Sequence, residues 1–204
     1  MATETLAPQT ATKISFEEFL KKYSDGSHVE WVDGEVIPMT AVTVQHADLN
    51  GFLYALLRHF AGHHQLGRVF SDPFVMKPGL DSPGRAPDIL FLSHAHLARL
   101  RRAHLEGPAD LVVEIVSPDD PGRDYVDKFR EYEAAGVPEY WIIDPLAQRT
   151  EFNQLRDGKY REVLPDENGV YHSVQLPGFW LRVEWLWQEP LPDLISILRE
   201  WKLI

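Results

Sequence analysis

The six residues Leu111-Val112-Val113-Glu114-Ile115-Val116 constrain this chain more than any other stretch. Every position but one is apolar and most are β-branched, so the run has no polar face. It reads as a strand buried on both sides, which requires a sheet covered by a layer on each face. Glu114 interrupts that run. A lone carboxylate in such surroundings is costly, so it must be protonated, paired, or bound to a cation. Upstream, Pro87-Asp88 opens a second apolar run, Ile89-Leu90-Phe91-Leu92, and sets another acid at the mouth of another strand. Two acids on adjacent buried strands outline a site for a divalent metal.

The flanking pattern fills in a fold. Ser15 with Glu18 forms a capping box for a short helix reaching about Tyr23, ended by Asp25-Gly26. Asp33-Gly34 is a hairpin turn between His28–Val32 and Glu35–Ile37. From Thr43 to about His63, Val44, Leu49, Phe52, Leu53, Leu56, Leu57 and Phe60 recur at helical spacing. Strands are expected at Arg68–Met76, Asp88–Leu92 and Leu111–Val116, with a short helix over His94–His104. Asp120 and Pro121 mark a further helix start, and Gly136 and Pro138 its stop. Glu139–Pro145 is a fourth core strand. A polar meander with turn signals Asp157-Gly158 and Asn168-Gly169 leads to Phe179–Trp187, apolar at every odd position, and a closing helix spans about Leu191–Trp201. The order implies an α/β domain with a mixed central sheet flanked by helices, an N-terminal hairpin and a C-terminal β meander.

With 204 residues and 44% hydrophobic content the chain can build one substantial core, so a single domain over 13–204 is expected. Residues 1–12, rich in Ala, Thr, Pro and Gln, read as a disordered tail rather than a signal peptide. No run of eighteen apolar residues is present, so no membrane-spanning helix is expected. The lack of cysteine removes disulfides and thiolate ligands and suits a cytoplasmic protein. A net charge of −11 argues against a general nucleic-acid coat protein, whose affinity comes from neutralising phosphates. It leaves room for an enzyme that touches nucleic acid over a small patch. Arg99, Arg101 and Arg102, with His94, His96 and His104 around them, are either a solvated face or a weak phosphate contact.

Mg²⁺, with Mn²⁺ as a substitute, is commonly held by one or two carboxylates plus water and substrate phosphate. Asp88, Glu114 and the Ile115 carbonyl could supply the oxygens, or Asp88 could cap a turn and Glu114 pair with a buried Arg or Lys. Phosphodiester chemistry also needs a positive group, and Lys128 lies on the flank of the stripe Tyr125, Phe129, Tyr132. From there it could bury its stem and reach the sheet, or form an ordinary pair with Asp124 on the solvent side. His46 could approach the metal or a phosphate, or be a satisfied structural residue. Glu30 could be a further acid of the site, or a hairpin residue with a hydrogen-bonding role.

The chain resembles the Uma-type restriction endonuclease family within the PD-(D/E)XK nuclease superfamily. The residues carrying the resemblance begin with Glu30-Trp31-Val32-Asp33-Gly34-Glu35, His46 and Pro87-Asp88-Ile89. They continue through Leu111–Pro118, Asp124 to Lys128 and Gly136–Trp141, so that the likeness spans roughly 15 to 190. The resemblance implies a restriction-endonuclease-like core and Mg²⁺-dependent hydrolysis of DNA. By it, Asp88 and Glu114 are metal ligands and Lys128 is the catalytic lysine. The lysine of the superfamily's Glu-X-Lys motif would fall at Val116; Uma-type members resemble this sequence in carrying it on the next helix.

Two other readings stand beside this one. The fold could be retained as a catalytically inactive binding or self-association module, which the acidic charge favours. A histidine-based metal hydrolase could use His59 and His63, four apart on a helix, or His94 and His96, although no Glu-preceded zinc motif accompanies them. Trp180, Trp185, Trp187 and Trp201 crowd the C-terminal quarter, and their surplus suggests a homodimer suited to double-strand cleavage.

Overall fold

The computed structural model describes residues 13–23, 26–39, 41–117 and 122–204. The expected tail at 1–12, Asp25, and the helix start at Asp120 and Pro121 lie outside the described residues.

In chain order the elements are α1 (Phe16–Tyr23), β1 (Val29–Val32), β2 (Glu35–Pro38), α2 (Val44–His63), β3 (Gly67–Ser71), β4 (Val75–Lys77), β5 (Ile89–Ser93), β6 (His104–Glu106) and β7 (Leu111–Ile115). A π-helical turn over Arg123–Lys128 then runs into α3 (Phe129–Ala135). Next come β8 (Glu139–Asp144), β9 (Arg149–Arg156), β10 (Lys159–Glu162), β11 (Val170–His172), β12 (Trp180–Arg182) and α4 (Leu194–Glu200).

The capping box closes as expected, with the Glu18 N–H donating to Ser15 Oγ and the Ser15 N–H to Glu18 Oε2. Thr43 Oγ1 caps α2 by accepting from the His46 N–H, and Gly136 ends α3 in the left-handed conformation at φ 79°.

A six-stranded sheet in the order β10-β9-β8-β7-β5-β3 forms the centre. β7 and β8 run parallel and the remaining neighbours antiparallel, so the sheet is mixed. Side chains alternate across it. Leu111, Val113 and Ile115 of β7 pack with Leu53, Leu56, Leu57 and Phe60 of α2 on one face. Val112 and Val116 pack with Tyr132 of α3 and Tyr140 of β8 on the other. The doubly buried strand is therefore sandwiched between two helical layers, and period two puts Glu114 on the α3 side.

Several expectations are corrected. The single strand expected over Arg68–Met76 splits into β3 and β4 with the chain turning at Asp72-Pro73, where proline offers no N–H to a ladder. β4 instead pairs with β6 in a separate small sheet. The helix expected over His94–His104 is a 3₁₀ turn, His94–Arg99, because the following residues are drawn into β6, which buries Leu105 completely. The alternation over Phe179–Trp187 yields only β12 and then a 3₁₀ turn over Val183–Trp187. There the consecutive residues Trp185 and Leu186 are both buried, as a one-sided strand could not allow. Asp157-Gly158 joins β9 to β10 as a hairpin, whereas Asn168-Gly169 is a turn ahead of β11, which pairs with β12. α4 starts later than expected because Asp193 caps it. Trp185 is buried, and Trp180, Trp187 and Trp201 all pack against the α2-side core, so core packing absorbs the tryptophan surplus.

Candidate active site

β5 and β7 pair antiparallel with Ile89 opposite Val113, so one step outward brings Asp88 opposite Glu114. The same alternation that buries Leu90 and Val112 against α3 puts both acids toward that layer. Asp88 is fixed from two sides. Its Oδ2 accepts from the Ile115 N–H at 2.7 Å, and its Oδ1 lies 3.0 Å from His46 Nε2 on the first turn of α2.

Glu114 and Lys128 are each only 2% exposed. Lys128 leaves the π-helical turn, a local widening often found at functional sites. Its Nζ reaches across to Glu114 Oε2 at 2.8 Å, to Asp124 Oδ1 at 3.0 Å and to within 4.0 Å of Glu30 Oε1. The Tyr132 hydroxyl donates to Glu114 Oε1 at 2.8 Å. Both local readings of Lys128 therefore meet: it pairs with Asp124 four residues away, yet the pair is buried and turned toward the sheet. The lysine that Val116 does not supply arrives at the glutamate from the next helix.

Arg85 answers Glu30, but the single Lys128 ammonium cannot balance both Glu114 and Asp124 with Asp88 beside them. Burial pushes Glu114 up to about 8 despite the opposing pull of Lys128, and raises Asp124 as well. Lys128 is held well above its usual value, because its carboxylate neighbours outweigh its own burial. Burial lowers His46, but the hydrogen bond and charge of Asp88 prevail and hold it above the ordinary histidine value. The cleft thus holds more acid than fixed positive charge, and a cation would relieve the surplus.

The space itself suits a small guest. Residues including Asp72, Asp88, Glu114, Ser117, Arg123, Asp124 and Lys128 leave about 20 Å³ for the centre of a water-sized occupant, room for one ion or water. Among the described residues no group of three or more His, Cys, Asp or Glu is arranged to hold a metal ion. Two facing carboxylates fit a hard cation such as Mg²⁺, which keeps several waters.

Of the residues singled out from sequence, Asp88, Glu114, Ile115, Lys128 and His46 all line this cleft. Glu30 stands behind it. Its Oε2 accepts from Arg85 Nη1 at 2.9 Å and its Oε1 from the Ala86 N–H at 3.2 Å, while Arg85 also grips Glu131 of α3 with two hydrogen bonds. Glu30 is a backing residue for Lys128 rather than a wall of the cleft.

Arg99, Arg101 and Arg102 are not among the residues lining the cleft. Arg99 binds the Pro108 carbonyl, Arg101 pairs with Glu106, and Arg102 borders a different depression beside α1. The arginine on the cleft wall is Arg123, whose Nε is buried without a partner among the described residues. The histidine-only site does not assemble: His59 bonds the Ala55 carbonyl of its own helix and His96 pairs with Asp110. Sequence reasoning missed Asp124 as a cleft member, Asp72, His28 and Arg123. Asp72 and His28 meet side chain to side chain at the rim, brought there by the turn between β3 and β4 and by the start of β1. Neither position sits in a telling local pattern.

A mixed sheet between helical layers, with two acids on neighbouring strands and a lysine from the following helix, defines a restriction-endonuclease-like fold. The family described as "Putative restriction endonuclease" (Uma2) matches residues 16–184, and the chain belongs to it. Among solved structures it is similar to "a putative nuclease belonging to DUF820" from Anabaena variabilis ATCC 29413. The two share 19% sequence identity at a TM-score of 0.68, over 85% of this chain and 97% of that one. No curated protein matches the chain. Among the described residues no helix is long and apolar enough to cross a membrane.

Proposed function

We propose that the protein is a Mg²⁺-dependent endonuclease that hydrolyses DNA phosphodiester bonds at the Asp88–Glu114–Lys128 cleft. The observation that carries this reading is the 2.8 Å approach of the helix-borne Lys128 to Glu114, with Asp88 facing Glu114 across two strands. Family membership supports it independently.

Asp88 and Glu114, with the Ile115 carbonyl, would hold the ion. Bound there, Mg²⁺ supplies polarisation of a phosphoryl oxygen and a lowered pKa for the attacking water. The protein's own groups do the rest. The Ile115 N–H and His46 fix the Asp88 carboxylate, so that it meets a guest already oriented. Lys128 stays protonated and offers positive charge where negative charge builds on the phosphorane-like transition state. Arg123, on the cleft wall, would offer its guanidinium to a substrate phosphate oxygen.

The deciding experiment compares cleavage of plasmid and oligonucleotide DNA in Mg²⁺ or Mn²⁺ by wild type, Asp88→Ala, Glu114→Ala and Lys128→Ala. Each variant is expected to lose about 10²–10³-fold in rate or more. Undiminished cleavage by the folded variants rejects this site.

One observation favours a second reading. Lys128 already neutralises part of Glu114 in a cleft with room for a single guest, which would also suit a nuclease fold kept as a binding or self-association module. Titration with Mn²⁺ separates the two, since the module takes up no ion at Asp88. Cutting both strands of a duplex would call for paired sites, and the homodimer and cytoplasmic location proposed with it are read by sedimentation and by fractionation.

A further inference from the structure

Beside the acid cleft, and sharing His28, His46 and Asp72 with it, lies a groove of about 260 Å³ along one face of α2. It is far too large for an ion and approaches the lower size of small-molecule sites, roughly 300 Å³. Two polar atoms on its wall residues are buried with no partner among the described residues: His46 Nδ1, on a side chain 96% buried because it is only 4% exposed, and Asn50 Oδ1. Buried polar atoms are normally satisfied, so these two leave unused hydrogen-bonding capacity on residues that wall the groove.

Directly after Asn50 comes Gly51, which also lines the groove from within α2, where glycine weakens a helix relative to alanine. A Cβ at Gly51 would meet nothing within 4 Å, so no neighbouring protein atom demands the glycine. What a side chain there would occupy is the groove. One turn further on, Tyr54 adds an aromatic ring to the wall, held by Arg58, whose guanidinium lies 5.7 Å from the ring centroid and donates to the hydroxyl at 3.0 Å.

We propose that this groove seats the nucleoside next to the scissile phosphate, a reading that rests on the nuclease assignment above. The chemistry selects a nucleoside over a second phosphate. Among the described residues no lysine or arginine lines the groove to hold a second phosphate, whereas Tyr54 can stack a base and the Asn50 and Asp72 side chains can accept from base N–H groups.

The test uses Gly51→Leu, which fills the groove, with Asn50→Ala as a second variant. Gly62→Leu, at an exposed position on the same helix where a Cβ is equally unhindered, serves as the control. Cleavage of an oligonucleotide is compared with hydrolysis of methyl p-nitrophenyl phosphate, which has no neighbouring nucleoside. Binding of a fluorescein-labelled oligonucleotide is followed by anisotropy in parallel. Gly51→Leu is expected to raise KM and Kd for the oligonucleotide by about tenfold, to lose much less on the small diester, and to leave Gly62→Leu tracking wild type. Equal losses on both substrates, unchanged oligonucleotide binding in Gly51→Leu, or no binding by wild type would overturn the proposal. If wild type binds the oligonucleotide but cleaves neither substrate, the nuclease reading fails by itself. A tenfold weaker Kd in Gly51→Leu would then still uphold the groove.

Discussion

Two glutamates on neighbouring parallel strands, Glu114 on β7 and Glu139 on β8, are buried to 2% and 0% exposure on opposite faces of the same sheet. Glu139 is fully provided for. Its two oxygens accept from Trp141 Nε1, the Tyr171 hydroxyl, Ser173 Oγ and the Val174 and Gln175 N–H groups, at 2.7–3.1 Å. It ties the segment around β11 to the central sheet. Glu114 has one hydroxyl and a lysine that it shares with two other carboxylates, with Asp88 facing it. Burial alone therefore does not mark a functional acid. The mark is burial with too few donors and too many like charges, because such a group keeps part of its electrostatic demand open for a ligand.

The largest effect that sharpens this contrast is on rate. Glu114→Gln keeps the shape of the cleft while removing the group's capacity to ionise and hold a cation, and cleavage is expected to fall about 10³-fold. Glu139→Gln, under the same assay at a temperature where it stays folded, is expected to keep most of its activity. A comparable loss in both would erase the distinction between the two acids.

Stability should respond in the reverse order. Glu139→Gln turns a buried acceptor toward donors it can only partly satisfy, at a cost of about 2–3 kcal/mol. For a chain of this size the thermal midpoint should drop by roughly 5–10 °C. Glu114→Gln at pH 7 should leave the midpoint unchanged or raise it, since Lys128 retains Asp124 and the crowding of carboxylates eases. Calorimetry of both variants without divalent metal decides the point.

A smaller effect appears with pH. The folded value of Glu114, about 8, lies above the ordinary carboxylate value of 4.5, so the native state binds more protons than the unfolded chain between those limits. Stability in EDTA should accordingly fall as pH rises from about 4.5 to about 8 and level off above. Asp124, raised by the same burial, adds in the same direction. Urea midpoints across that range read the slope, and Glu114→Gln should flatten it. A slope of opposite sign would show that Lys128 fully compensates Glu114.

Smaller again is the support behind the lysine. Arg85→Lys loses the two-pronged grip on Glu131 while keeping a charge near Glu30, and should lower kcat severalfold with little change in KM.

How far the site could be read from sequence depended on its distance along the chain from a strong pattern. The β-branched run exposed Glu114, because an acid inside such a run needs a partner, whereas Asp88 beside its run reads by itself as a turn cap and gained meaning only as the neighbour of Glu114. α2, the hairpin at Asp33-Gly34 and the core strand β8 followed from periodicity and turn residues. Asp72, His28 and Arg123 reach the cleft through turns and strand ends whose direction only tertiary packing sets. Asp124 was visible as a helical partner of Lys128, but not as a buried one, since a π-helical turn shifts which side chains face the sheet. Arg99, Arg101 and Arg102 misled for a related reason: Arg99 ends a 3₁₀ turn, while Arg101 and Arg102 lie in the bend that leads into β6. The Glu139 node was hidden because its donors lie 32 to 36 residues away, apart from Trp141.

The most direct test is anomalous scattering from crystals soaked in Mn²⁺, with Asp88→Asn crystals treated alike. The account requires a peak between the Asp88 and Glu114 carboxylates in wild type and none in the variant. A wild-type cleft without manganese, or a peak that persists in Asp88→Asn, would contradict it.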